Sequence, residues 1–256
     1  MGETDLAPPP DGVVLVAEGV VMITRANVNC YLVRTGEGIV LVDAGLPGMR
    51  GQLRQAFAML EATPADLLAV ELTHGHFDHV GLCRSLQDLG VPIIVHPADA
   101  PLVRHPYRYA HESPRLKYPF RYPAALPGLL RMTGAGALNV RGTTSHSRTV
   151  GNGATGEETG LRPILTPGHT FGHCALTYGD GRALFTGDAL VTYDPYTGKT
   201  GPRTVARAAT ADARLGLDSV RRIAGTGAEL LLPGHGAPFR GTAERAAELA
   251  LAAGID

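Results

Sequence analysis

The chain is 256 residues long, enough for one large domain or two small ones with a substantial core. Hydrophobic residues make up 44% and charged residues 18%, a globular composition that argues against disorder. A formal net charge of -1 gives no basic field for nucleic acid or an anionic membrane, and no apolar run approaches the roughly 20 residues a bilayer span needs.

Residues 1–11, "MGETDLAPPPD", are acidic and proline-rich, with neither the basic start nor the apolar stretch of a secretory signal, and are expected to be a flexible lead. Valine-rich runs separated by glycine turns follow, "VVLV" (13–16), "CYLV" (30–33) and "GIVLVDAG" (38–45), which is a strand signal. "MRGQLRQAFAMLEA" sets Leu53, Phe57 and Leu60 on one face of an amphipathic helix that Pro64 stops. "LLAVELT" (67–73) is expected to be a buried strand, "HVGLCRSLQDLG" a helix ended by Gly90, and "VPIIVHP" (91–97) another strand.

The pattern breaks between 97 and about 160, a long aperiodic stretch of the kind that is either a functional insertion or disordered. Regularity returns in "LRPILTPGH" (161–169), "CALTYG" (174–179) and "RALFTGD" (182–188). A helical run near 205–224, the strand "ELLLPGH" (229–235) and a last helix, "TAERAAELALAAG", complete the chain. Alternating strands and helices make the class α/β, with residues 12–256 as a single domain carrying the insertion at 97–160. Cys30, Cys83 and Cys174 are odd in number and widely spaced, which argues against a disulfide framework and for a reducing, cytoplasmic setting.

Chemistry concentrates in "LTHGHFDHVG", which places His74, His76, Asp78 and His79 directly after a strand. Four other fragments share one grammar, an apolar strand ending in a polar residue beside glycine: "LVDAG" (Asp43), "LTPGHT" (His169), "LFTGDAL" (Asp188) and "LLLPGHG" (His235). Ligands arriving from the ends of separate strands are the usual way to build a rigid site on a sheet. His74, His76, Asp78, His79, His169, Asp188 and His235 exceed what one four-coordinate zinc needs and suit two metals sharing a ligand.

The order HxHxDH, a distant His after "PG", "TGD" and "PGHG" resembles the metallo-β-lactamase-fold hydrolases, from "NVNCYLV" to the last "PGHG". The resemblance implies a four-layer αβ/βα sandwich. It further implies that His74, His76 and His169 hold one metal, that Asp78, His79 and His235 hold a second, and that Asp188 bridges them. Asp43 matches a family position that supports the ligands by hydrogen bonding. Two zinc ions are expected, manganese or iron being admissible in the same donors. Such a pair holds a bridging water and lowers its pKa toward about 7, and Asp78 can take its proton.

Departures from the family narrow the substrate. Antibiotic-hydrolysing members usually carry cysteine where this chain has Asp188, and they carry export signals. Glyoxalase II enzymes add a helical glutathione-binding region, for which residues 236–256 are too few. RNA-processing members add nucleic-acid modules that nothing here resembles. The expected activity is hydrolysis of a small-molecule ester, thioester or lactone. A phosphodiesterase on the same metals, a mononuclear iron persulfide dioxygenase and a non-enzymatic binding protein are the competing readings.

Within the insertion, "PLVRHPYRYAHESPRLKYPFRY" (101–122) joins Tyr107, Tyr109, Tyr118, Tyr122 and Phe120 to Arg104, Arg108, Arg115, Lys117 and Arg121, against one acid, Glu112. It is a candidate lid, with aromatic area for a substrate and cations for an anion, a candidate homodimer contact, or a solvated loop. "VTYDPYTGKTGP" (191–202) offers Tyr193 and Tyr196 as catalytic donors to a developing oxyanion, as related lactonases use a tyrosine, or as packing residues. His96 and His173 are expected to be structural or to support the metal ligands rather than to bind metal, and His105, His111 and His146 carry no assignment.

Overall fold

The computed structural model describes residues 7–144, 146–147 and 159–256. Most of the expected lead, residues 1–6, lies outside the described residues, as does 148–158 of the insertion. At the end of the lead, Asp11 accepts a hydrogen bond from the Ala26 amide at 2.8 Å.

Strands β1 (Gly12–Ala17), β2 (Val20–Arg25), β3 (Val28–Arg34) and β4 (Ile39–Val42) form an antiparallel meander. The chain then crosses through α1 (Arg50–Met59) to β5 (Leu67–Glu71), parallel to β4, and through α2 (Cys83–Gln87) to β6 (Ile93–Val95), parallel to β5. Helices α3 (Ala100–Arg104), α4 (Tyr118–Arg121) and α5 (Leu126–Gly134) precede the short β7 (His146–Ser147), which completes a seven-stranded sheet in the order β1-β2-β3-β4-β5-β6-β7.

The second sheet begins with β8 (Arg162–Leu165), β9 (Cys174–Tyr178) and β10 (Ala183–Gly187). A hairpin of β11 (Val191–Tyr193) and β12 (Thr200–Arg203) and helix α6 (Ala213–Ala224) follow. The chain ends with β13 (Leu230–Pro233), β14 (Phe239–Arg240) and α7 (Ala243–Ala253). The sheet order is β14-β13-β10-β9-β8, with β10 and β13 parallel.

Alternation along the strands builds the layers. Val20, Met22, Tyr31, Val33, Val40 and Val42 face the second sheet, where they meet Leu176, Phe185 and Leu232. Their neighbours Val21, Ile23, Leu32 and Leu41 face the other way and bury Leu53, Ala56 and Phe57 of α1. Outside the second sheet, Val220 and Ile223 of α6 and a row of alanines on α7 cover Ala175, Leu184 and Leu231. Each sheet is thus covered on both faces, giving a helix, sheet, sheet, helix sandwich.

Several elements differ from the sequence expectations. The helix expected over 79–90 shortens to α2, because His74–His79 and the turn behind them consume its first residues. The run near 205–224 becomes helical only at Ala213, where Asp212 caps α6 by accepting the Leu215 amide at 2.8 Å. The segment 191–202 is a hairpin rather than a loop. The first part of the insertion is helical: α3, α4 and α5 each carry a proline in the first turn, where the missing N–H costs nothing. Those prolines look like breakers in the sequence and act as starters.

Candidate metal centre

All the expected ligands lie at one end of the two sheets, where strands finish. His74 to His79 follow β5, His169 follows β8, Asp188 follows β10 and His235 follows β13. Backbone bonds lock this end together across the sandwich: the Asn29 amide donates to Gly234 at 2.8 Å and the Cys174 amide to Thr73 at 2.8 Å. Glycine beside a ligand has a specific use. A Cβ on Gly234 would strike Asp188 Oδ1 and stand 2.7 Å from His79 Cε1, so the space is taken by neighbouring ligands rather than kept for substrate.

The seven side chains are buried and face one another. His76 Nδ1 and His169 Nε2 stand 2.9 Å apart, and the His74 ring lies 4.2 Å from His79 and 4.8 Å from His169, centroid to centroid. Asp188 reaches both halves of the cluster: Oδ1 is 3.5 Å from His79 Nε2, while Oδ2 is 3.4 Å from His169 Nε2 and 3.3 Å from His235 Nε2. Asp78 Oδ2 lies 3.5 Å from His235 Nε2. Three overlapping donor sets result, His74/His76/His169, His74/His79/Asp188 and Asp78/His79/His235, each within 4.8 Å of mutual separation.

The donors fit a cation. Nε2 of His74, Nε2 of His79 and Oδ1 of Asp188 are buried without a hydrogen-bond partner. A buried unsatisfied polar atom costs about 1–3 kcal/mol, so three converging on one point call for a bound ion. Burial and the neighbouring imidazoles push His74 and His76 well below the ordinary histidine value, and burial takes His169 to about 4. Those rings are neutral, as ligands must be. Burial also pulls on His79, but Asp188, Asp43 and Asp78 overcome it and raise that ring to about 10. His235 is raised in the same way by Asp188 and Asp78. Asp188 is held well below the carboxylate range by His235, His79 and His169 against the pull of burial, whereas burial pushes Asp78 up.

A second ring of groups aims these ligands. Asp43, left-handed at φ 57°, accepts from the Thr73 amide at 2.8 Å and sits 2.9 Å from His79 Nδ1, turning Nε2 inward. His173 Nε2 accepts the Asp188 amide at 3.0 Å, so its Nδ1–H donates to Thr166 Oγ1 at 2.8 Å. Burial drives His173 to about 3, consistent with that neutral tautomer.

Two members of this ring are not among the residues expected from the sequence. The Asn27 carbonyl accepts from His235 Nδ1 at 2.8 Å, presented by a tight turn in which Ala26 and Asn27 both have positive φ. Asp99 is buried and accepts from the Gly75 and Gly172 amides at 3.0 and 2.8 Å and from the Thr170 hydroxyl at 2.7 Å, tying the His74–His79 segment to the loop of His169. The signals were an Asn in a hairpin turn and the Asp of "HPAD" directly after a strand.

The cluster opens into a cavity of about 30 Å³ walled by Phe77, Tyr109, Leu129, Met132 and Tyr196, with His76, Asp78 and His235 at its floor. Tyr196 lines it, but Tyr193 does not: the Tyr193 hydroxyl turns to Asn27 and lies against Gly128. Tyr109, from the insertion, was expected only as part of an aromatic group. A far larger groove, about 1340 Å³, sits at the start of β10 and β13, the opposite end of the sandwich, and contains no ligand residue. The chemistry, not the volume, identifies the site.

His96 caps a turn by accepting the Ala98 amide, and His105 and His111 are exposed. The His146 side chain lies outside the described residues. Cys30, Cys83 and Cys174 are buried free thiols that burial pushes up, Cys174 to about 12. Lys199 and Arg203 pair with Asp256. Among the described residues no helix is long and apolar enough to cross a membrane.

Known proteins carry the same architecture. The metallo-beta-lactamase family protein TTHA1429 of Thermus thermophilus superposes with a TM-score of 0.62 at 24% identity, over 91% of this chain and 79% of its own. TTHA1623, solved in a di-iron-bound form, superposes at 0.61 with 26% identity over 90% of this chain and 98% of its own. The probable metallo-hydrolase YflN of Bacillus subtilis (strain 168) is 30% identical over 242 residues, 88% of this chain and 86% of the relative. Residues 23–235 match the family model of the metallo-beta-lactamase superfamily, a range that runs from within β2 to His235. The chain belongs to the metallo-beta-lactamase superfamily and is a metal-dependent hydrolase with a buried His/Asp cluster able to hold its metal.

Proposed function

We propose that the protein is a dinuclear zinc hydrolase of a carboxylic ester, thioester or lactone, with thioester cleavage the first form to test. The position of Asp188 carries the reading. One carboxylate lies between two histidine sets, with one oxygen near His79 and the other near His169 and His235, which is the arrangement two cations sharing a ligand require. His74, His76 and His169 would hold the first ion and Asp78, His79 and His235 the second. The di-iron form of TTHA1623 supports a site for two ions and makes iron the principal competitor of zinc.

Bound there, the cations would supply a water acidic enough to attack at neutral pH and polarise the substrate carbonyl. The chain's own groups do the rest. Asp78, pushed upward by burial at the cavity floor, accepts the proton of the attacking water and returns it to the departing thiol or alcohol. Tyr196 donates its hydroxyl to the carbonyl oxygen as negative charge develops there. Phe77, Leu129 and Met132 give the acyl group an apolar wall and exclude bulk water.

Metal content of the purified protein, with release of thiol from a panel of acyl-thioesters, tests this. About two zincs per chain, reduced in His76→Ala together with thiol release, is the expected result. One iron per chain with sulfur-dependent oxygen uptake would overturn it, as would turnover of bis(p-nitrophenyl) phosphate far above that of any carboxylic ester.

A further inference from the structure

The insertion touches the ligand cluster through Tyr109. Its ring centroid lies 4.0 Å from that of His76, tilted by 35°, and its hydroxyl is 3.3 Å from the hydroxyl of Tyr196. On the same ring sits Arg115, its guanidinium carbon 4.0 Å from the centroid. The phenol ring thus packs against both an imidazole and a guanidinium. Arg115 is itself held by the Ala208 carbonyl, 3.3 Å from Nε, and by the Tyr109 carbonyl, 3.5 Å from Nη2.

Packing alone needs neither hydroxyl. Each phenol carries one O–H and can also accept. Where the two face each other, one O–H is spent within the pair and the other is free to point into the cavity that both residues line beside Asp78. The Arg115 cation above Tyr109 decides which. A positive charge beside a phenol makes it the better donor, so Tyr109 donates to Tyr196, and the Tyr196 O–H, polarised by the bond it accepts, is left to the substrate.

We infer that Tyr109 and Arg115 are positioning residues that aim and strengthen the Tyr196 hydroxyl toward the acyl oxygen of the substrate, so that the insertion is part of the reacting site and not only its cover. This rests on the hydrolase reading above. Because Tyr109 acts only through Tyr196, the two hydroxyls form one unit, and their removal is not additive.

The test uses the metal-loaded protein with a thioester that the wild type cleaves, and the variants Tyr196→Phe, Tyr109→Phe, the double Phe variant, Arg115→Met and Arg115→Lys. Tyr196→Phe should lower kcat about 100-fold, in the range for loss of one oxyanion donor. Tyr109→Phe and Arg115→Met should each lower kcat about tenfold with KM nearly unchanged, and Arg115→Lys should recover part of that loss. The double Phe variant should be no slower than Tyr196→Phe alone. Zinc content and the absorption bands of the cobalt-substituted protein should be the same in all five.

Wild-type kcat in Tyr109→Phe would overturn the inference, and so would a double variant whose losses multiply. Altered cobalt bands in Tyr109→Phe would assign Tyr109 to the seating of His76 instead and overturn it too. A wild type inactive on esters, thioesters and lactones would remove the hydrolase reading, and this inference with it, an outcome distinct from an active wild type with indifferent variants.

Discussion

Asp99 belongs to none of the candidate metal-binding groups, yet it ties together the loops that carry them. Its Oδ2 accepts from Gly75 and Thr170 and its Oδ1 from Gly172, which joins the two loops that deliver His74, His76 and His169. An amide in its place would turn an NH2 group toward one of those donors. Asp99→Asn should therefore cost about 1–3 kcal/mol in urea unfolding and also lower zinc occupancy at limiting metal. Full occupancy with unchanged stability would mean the loops hold themselves. Residue by residue, the candidate metal-binding cluster that the structure gathers was legible in the sequence because imidazoles and carboxylates cluster locally or end apolar strands beside glycine. Asp99 was not, because its partners Thr170 and Gly172 lie 71 and 73 positions away and an Asp after a strand also suits a surface turn. Tyr193 and Tyr196 could not be told apart either: they sit three residues apart, and the hairpin that sends one to Asn27 and the other to the cavity leaves no mark in composition.

At the scale of elements, the sheets were readable and the insertion was not. Strands such as β4 and β10 are buried on both faces and appear as unbroken apolar runs. β2 leaves little separate trace in the sequence because "VVMITR" follows so closely on β1, with only the tight turn at Gly19 between them. The helices of the insertion have too few residues for a 3.6-residue period to show, and their prolines mislead. Between the sheets, Phe185 is buried from solvent with its ring centroid 5.1 Å from that of Tyr31, the contact that spans the two sheets. Phe185→Ala should cost about 3–5 kcal/mol in denaturant unfolding, since both sheets would have to close on the cavity left behind. A loss below about 1 kcal/mol would show that the sandwich relaxes freely there.

Taken whole, the molecule gathers seven side chains able to ligate metal at one end, which ties its stability to pH and to metal. In the metal-free protein, His173 at about 3 and His169 at about 4 stay neutral while the unfolded chain takes up protons below the ordinary 6.5. The unfolded state binds more protons in that window, so stability falls as pH drops through it. His79 acts in the opposite window. Raised to about 10, it holds a proton that the unfolded chain has already released above 6.5, so its contribution is complete below 6.5 and is lost as pH climbs toward 10. The metal-free protein should accordingly be most stable near pH 6.5, with Tm falling on both sides. Loading with zinc should remove the alkaline decline, because His79 and His235 then give up their protons to bind the ion. At neutral pH the titration should release protons, that of His79 above all, measurable as buffer-dependent heat in calorimetry. Acid loss should steepen in the loaded protein, where protons and zinc compete for the same nitrogens. A metal-free Tm that keeps rising from neutral pH to about pH 10 would mean that the Asp188, Asp43 and Asp78 carboxylates do not hold His79 charged, and that the cluster is charge-balanced in some other way before its metal arrives.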